Sequence, residues 1–104
     1  MFELSIVIPC YNESKSLAKL FEACYVSCAS RKDIQFIFVN NGSIDDTEIT
    51  LNQLLLEKKY SFGKLVHVEK NQGYGYGILQ GLKEAEGKII AWTHADYKQT
   101  LLML

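Results

Sequence analysis

Four short apolar runs alternate with three stretches of helical spacing, and that alternation constrains the fold more than any other feature of the chain. Leu4-Ser5-Ile6-Val7-Ile8 is rich in β-branched residues and closes at Pro9, which lacks a ladder donor, so it reads as a buried strand. From Ser14 onward, Leu17, Leu20, Phe21, Cys24 and Cys28 make the stripe of an amphipathic helix that stops at Arg31-Lys32-Asp33. Ile34 to Val39 is a second strand, running into the turn-favouring Asn40-Asn41-Gly42-Ser43. Ser43 and Asp46 are spaced as a capping box for a helix that turns Leu51, Leu54 and Leu55 inward. Leu65 to Val68 is a third strand, and Asn71-Gln72-Gly73 opens a helix carrying Ile78, Leu82 and Ala85 to a stop at Gly87. Lys88 to Thr93 is the fourth strand. Short connections between such elements imply right-handed crossovers. The expected fold is α/β: a Rossmann-like, mostly parallel sheet with helices on both faces, in one domain over residues 1–104.

Composition narrows the partners. The 104 residues are 48% hydrophobic, and 11 Lys+Arg against 12 Asp+Glu leave a formal charge of -1. Such a chain can bury a core, and it lacks the clustered cations that nucleic-acid binding needs. No apolar run approaches the roughly 20 residues that span a bilayer, and Met1-Phe2-Glu3 has no basic leader. The expectation is therefore no nucleic acid, no transmembrane segment in this chain, and a cytoplasmic location or one at the cytoplasmic face of the membrane. Three cysteines, Cys10, Cys24 and Cys28, make an odd set with no metal-ligand spacing around them, and they read as small core residues.

Ligands of open parallel sheets bind beyond the carboxyl ends of the strands. Here those ends carry Tyr11-Asn12-Glu13, Asn40-Asn41-Gly42-Ser43, Asn71-Gln72-Gly73 and His94-Ala95-Asp96, which together supply an aromatic face, amides, hydroxyls, carboxylates and an imidazole. A polar ligand site at one edge accounts for all four; polar strand ends entering solvent would account for any one of them. The dinucleotide fingerprint fails, because Gly73-Tyr74-Gly75 meets Ile78 where a third glycine belongs, and Gly63-Lys64 and Gly87-Lys88 lack the Ser or Thr of a P-loop. Gly73, Gly77 and Gly81 recur every four residues, each costing about 1 kcal/mol in a helix relative to alanine. Close packing of helix on sheet explains Gly77 and Gly81, whereas Gly73 suits close approach of backbone to a ligand.

Taken together, Ser5 to Glu13, Val39 to Thr47, Asn71-Gln72-Gly73 with Gly77, Gly81, Ala85 and Gly87, and Trp92 to Asp96 resemble the inverting family 2 glycosyltransferases of GT-A fold. The resemblance runs over about the whole chain. It implies that Tyr11 lies against the base of a nucleotide diphosphate sugar, in UDP, GDP or dTDP form, and that Pro9, Asn12 and Glu13 shape the base and ribose end. It adds Asn71, Gly73, His94, Ala95 and Asp96 to the same pocket. Where the family usually has two carboxylates this chain has Asn40-Asn41; Asn41 can accept the imino hydrogen of uracil but can also donate, which leaves base choice open. Asp96 stands as the second carboxylate of the family's metal motif and is the expected ligand of Mg2+ or Mn2+, with His94 assisting metal or ribose, or packing.

The resemblance implies that the general base and the acceptor surface come from a second half after the metal motif, whereas this sequence ends at Leu104. The expected function is inverting transfer of a sugar to an acceptor hydroxyl on a sugar or lipid, as in envelope polysaccharide or lipid glycosylation, with this truncated chain carrying the donor-binding half and inactive alone. The catalytic base is not assigned. The apolar ending Leu101-Leu102-Met103-Leu104 calls for self-association or for that missing half to cover it. A non-catalytic nucleotide-sugar-binding module or remnant is the second reading, and a bare α/β interaction domain the third.

Overall fold

The computed structural model describes residues 2–12, 14–28, 31–60 and 62–93. In chain order they form β1 (Leu4–Cys10), α1 (Leu17–Ser27), β2 (Ile34–Asn41), α2 (Thr47–Leu55), a 3-10 turn at Lys58–Tyr60, β3 (Gly63–Val68), α3 (Tyr74–Leu82) and β4 (Ile89–Trp92). Every strand pair is parallel and the order is β3-β2-β1-β4, so the chain winds outward from a central β1–β2 pair. The expected α/β class holds.

Alternation along the strands sorts the core into two layers. Ile6, Ile8, Phe36 and Phe38 point to one face and bury Leu17, Leu20, Phe21 and Cys24 of α1 with Leu51 of α2. Phe21 stacks on Phe38 with ring centroids 4.3 Å apart. Val7, Ile37, Val39 and Val68 point to the other face, where Leu82 and Ala85 pack on them. Cys10 and Cys24 are core residues, as their small apolar character suggests, and burial pushes the Cys24 thiol far above its ordinary value.

Several boundaries differ from those read in the sequence, and three of them bear on the site and its supports. Pro9 does not close β1. It lies in register with Val39 inside the strand, and because the carbonyls of Glu3 and Val7 accept from Ile89 and Thr93 of the β4 side, Pro9 also faces that side, beyond the last β4 rung, where its missing N–H costs no bond to β2. Asn40 and Asn41 are strand residues; the turn begins at Gly42, whose φ of +68° is left-handed. Finally, α3 ends at Leu82 and Gly87 is not its cap. A Cβ on Gly87 would lie 2.6 Å from the Ser5 backbone nitrogen, so that glycine lets the α3–β4 link cross close to β1. Ser5 Oγ accepts from Gly87 N (2.8 Å) and donates to Gln35 Oε1 (2.6 Å), which also accepts from Glu86 N. That buried pair of side chains aims the link toward β4.

Candidate functional site

The carboxyl edge of the sheet brings together the segments after β1, β2 and β3. Beyond Cys10, Tyr11 presents its ring at 44% exposure. Asn12 follows with φ +52°, a conformation that asparagine tolerates better than other side chains. Asn12 N donates to Ser43 Oγ (3.1 Å), and Asn12 Oδ1 accepts from Ile44 N (2.9 Å). Nearby, Ser14 Oγ donates to Asp45 Oδ2 (3.0 Å). The other Asp45 oxygen accepts from Thr47 N at the start of α2, and the hydrogen bonds from Thr47, with Ser14 adding to them, hold the carboxyl below the usual aspartate range. Asp45, not Ser43, therefore caps the Thr47 amide that opens α2; Asp46 occupies the N-cap position without a side-chain bond.

Asn40 and Asn41 end β2 on opposite faces. Asn41 is 2% exposed and lies beneath α3, where a Cβ on Gly77 would come within 2.7 Å of its Nδ2. That Nδ2 donates to the Gly73 carbonyl (3.3 Å), which fixes the amide, and Oδ1 has no hydrogen-bond partner. A buried acceptor left unmade costs about 1–3 kcal/mol, a penalty that a ligand N–H would relieve. Asn40 is fully buried on the α1–α2 face; its Nδ2 lies 3.1 Å from His67 Nδ1, its Oδ1 is likewise unpartnered, and Glu48 Oε2 stands 3.8 Å from the same ring nitrogen. His67 escaped the sequence reading because only the parallel register, which sets Asn40 beside His67, brings the two together.

After β3, Asn71 Oδ1 accepts from Gly73 N (2.7 Å), and Gly73 takes φ +104° at the N-cap of α3 with open space around it. A side chain on Gly42 would come within 2.2 Å of Asn71 N, so the loops after β2 and β3 touch through backbone. An open cavity of about 520 Å³ adjoins them, lined by His67, Val68, Glu69, Lys70, Gln72 and Tyr76. A groove of about 390 Å³ lies at the other end of the strands, between Phe2, Tyr25, Ile34 and Phe62.

Of the residues expected at the site, Pro9, Tyr11, Asn12, Asn41, Asn71 and Gly73 gather at this edge. Asn12 and Asn71 spend their side-chain oxygens on the loops themselves. Glu13, His94, Ala95 and Asp96 lie outside the described residues. Among the described residues no three His, Cys, Asp or Glu side chains converge to hold a metal ion, and no helix is long and apolar enough to cross a membrane.

Residues 5–98 match the model of glycosyl transferase family 2. The chain belongs to that family. It is 34% identical over 100 residues to a dolichyl-phosphate beta-glucosyltransferase of Trichomonas vaginalis, a match covering 89% of this chain and 30% of that protein. A mannosyltransferase from Pyrobaculum calidifontis in complex with GDP-Man and Mn2+ superposes with a TM-score of 0.82 at 21% identity, over 90% of this chain and 27% of that one. S. aureus TarS 1-349 in complex with UDP-GlcNAc gives 0.78 at 23% identity, over 91% and 27%. Those likenesses establish the GT-A glycosyltransferase fold. This family 2 chain spans about 30% of the length of the curated relatives it matches.

Proposed function

We propose that this chain forms the nucleotide-sugar-binding part of an inverting glycosyltransferase, with the donor base seated at the carboxyl edge between Tyr11 and Asn41. The observation that carries the reading is the Asn41 amide. One of its Nδ2 hydrogens is held by the Gly73 carbonyl, and the buried Oδ1, which has no partner, is the acceptor proposed to meet a ligand. Uracil, thymine and guanine present a ring N–H to such an acceptor, whereas cytosine and adenine present a ring nitrogen lone pair. The base preference left open by asparagine in the sequence thus narrows to UDP, GDP or dTDP forms, and the Tyr11 ring supplies a stacking face.

In the complete enzyme an acceptor oxygen would form its bond to the anomeric carbon as the bond to the diphosphate breaks, releasing nucleoside diphosphate and inverting the centre. The dolichyl-phosphate relative supports a lipid phosphate as acceptor alongside the hydroxyl expected from sequence. A phosphate monoester is already ionised near neutral pH, so that acceptor class needs no side chain to take its proton. A lipid acceptor also favours work at a membrane surface. Asp96 is the proposed ligand of a divalent cation and His94 a second candidate, a reading supported by the Mn2+ in the mannosyltransferase complex; bound there, the ion would neutralise diphosphate charge.

Calorimetric titration with UDP, GDP, CDP and ADP, each with Mn2+ and with chelator, tests the reading. UDP or GDP should bind about tenfold or more tighter than CDP and ADP, the worth of one buried hydrogen bond, and Asn41→Ala should erase the difference. Equal affinities for all four would remove the base from Asn41. Metal dependence that survives Asp96→Ala would remove the cation from Asp96.

A further inference from the structure

We infer that Asn12 is a positioning residue, a latch that ties the loop after β1 to the loop after β2 and so holds Tyr11 beside the end of β2 that carries Asn41; this rests on the reading of that edge as the base site. The β1–β2 register ends at Cys10 and Asn40, and among the described residues the three hydrogen bonds that join positions 11, 12 and 14 to the loop 42–46 each use a side chain. Asn12 makes two of the three. Its backbone N–H donates to Ser43 Oγ, while its side-chain Oδ1 accepts from Ile44 N, a reciprocal pair spanning 31 and 32 residues of sequence. The left-handed backbone at Asn12 is what lets one residue do both, since it reverses the chain just after Tyr11 and turns amide and side chain toward the same neighbouring loop. A residue at such an angle persists where its surroundings over-determine it. Here the surroundings are the Ser43 hydroxyl, the Ile44 amide and, two residues on, the Ser14–Asp45 bond.

The consequence is rotational. Tyr11 stands between the end of the β1–β2 ladder and the latch, so its main chain is fixed on both sides while its ring stays exposed. Without the Asn12 carbonyl the second fixed point is lost, and ordering the loop would have to be met from binding energy. Asn12 therefore acts through Tyr11 and need not touch the ligand.

Three variants and one cycle test this. Asn12→Gly keeps the left-handed backbone and removes the side-chain acceptor; Asn12→Asp keeps both. Hydrogen exchange at the Ile44 amide reads the latch directly, and thermal unfolding reads the fold. Asn12→Gly is expected to speed Ile44 exchange and lower UDP or GDP affinity about five- to tenfold, with Asn12→Asp within about twofold of the native chain on both counts. In the background of Tyr11→Ala, adding Asn12→Gly should cost no further affinity, because a residue acting through Tyr11 has nothing left to position. Additive losses, or an Asn12→Gly chain that binds as tightly as the native one while Tyr11→Ala does not, would overturn the latch and leave the base site standing. Unchanged affinity in Tyr11→Ala would instead bring down the base site. Should Asn12→Gly unfold, Ser43→Ala removes the other bond of the pair and is held to the same expectation.

Discussion

Asn41 carries two duties that a carboxylate could not share. Its Nδ2 holds the Gly73 carbonyl and its buried Oδ1 has no hydrogen-bond partner, so Asn41→Asp would set an anion against a carbonyl oxygen at the start of α3. The expected outcome is a variant that loses stability by about 1–3 kcal/mol, the cost of an unmade buried hydrogen bond, and does not exceed the native chain in UDP affinity; denaturant unfolding with parallel titration checks both. Tighter UDP binding by a stable Asn41→Asp chain would show that the Gly73 contact is dispensable. The sequence marked Asn41 as a group able to donate and accept. Which of the two it offers was not legible, because the deciding partner lies 32 residues away and meets it only when α3 settles on the sheet. Tyr11 was legible as an exposed ring at a strand tip. Asn12 stood out in the sequence as a candidate site residue, but its two bonds to the loop after β2 did not, since a left-handed asparagine leaves no mark in composition or spacing.

Helix ends behaved differently from helix faces. The stripe from Leu17 to Cys24 foretold the buried side of α1 because periodicity is a property of the segment itself, whereas caps depend on what the neighbouring loop offers. At α2 the expected Ser43–Asp46 box gave way to Asp45, since the Ser43 hydroxyl is engaged by Asn12. A pH dependence follows. With Asp45 held below the ordinary aspartate value, its bonds to Thr47 and Ser14 are complete above about pH 4, the unfolded-state range, and are lost as pH falls through the lower folded value. Thr47 amide exchange, corrected for intrinsic rates, should be flat from neutrality to about pH 4 and speed up below it; acceleration already at pH 6 would mean that some other group carries the cap. At α3 the glycine repeat expected from sequence as close packing is borne out. A Cβ on Gly81 would lie 2.4 Å from Val7 Cγ1, and one on Gly77 would press on the Asn41 amide. Gly81→Ala should therefore cost about 1–3 kcal/mol of stability by overpacking, while Gly77→Ala should lose nucleotide affinity beyond its loss of stability. Equal behaviour of the two variants would deny Gly77 any link to the site.

At the scale of the molecule, alternation of strand and helix made the parallel sheet legible, but nothing local fixed the strand order, which sets β3 and β4 at opposite margins. Those margins are unlike. On β3, Lys64 is paired to Glu84 at 2.9 Å and His67 is exposed, the charged and polar dressing that protects sheet edges. On β4 there is no charge from Ile89 to Trp92, and Ile89, Ile90 and Trp92 are 61%, 47% and 49% exposed. Ile89 shares a face with Leu4, and Ile90 and Trp92 with Ser5 and Val7, so among the described residues this margin carries exposed apolar side chains on both faces of the sheet. Apolar residues on two faces of an edge strand invite a further strand or another copy. The chain on its own is accordingly expected to self-associate as concentration rises, and Ile90→Lys, which sets a cation at that margin far from the Tyr11–Asn41 cleft, is expected to shift it toward monomer without weakening UDP or GDP binding. Light scattering coupled to size exclusion, run over a dilution series on both chains, reads the outcome. A native chain that stays monomeric throughout, or an Ile90→Lys chain that associates equally, would mean that this margin is covered or that another surface makes the contact.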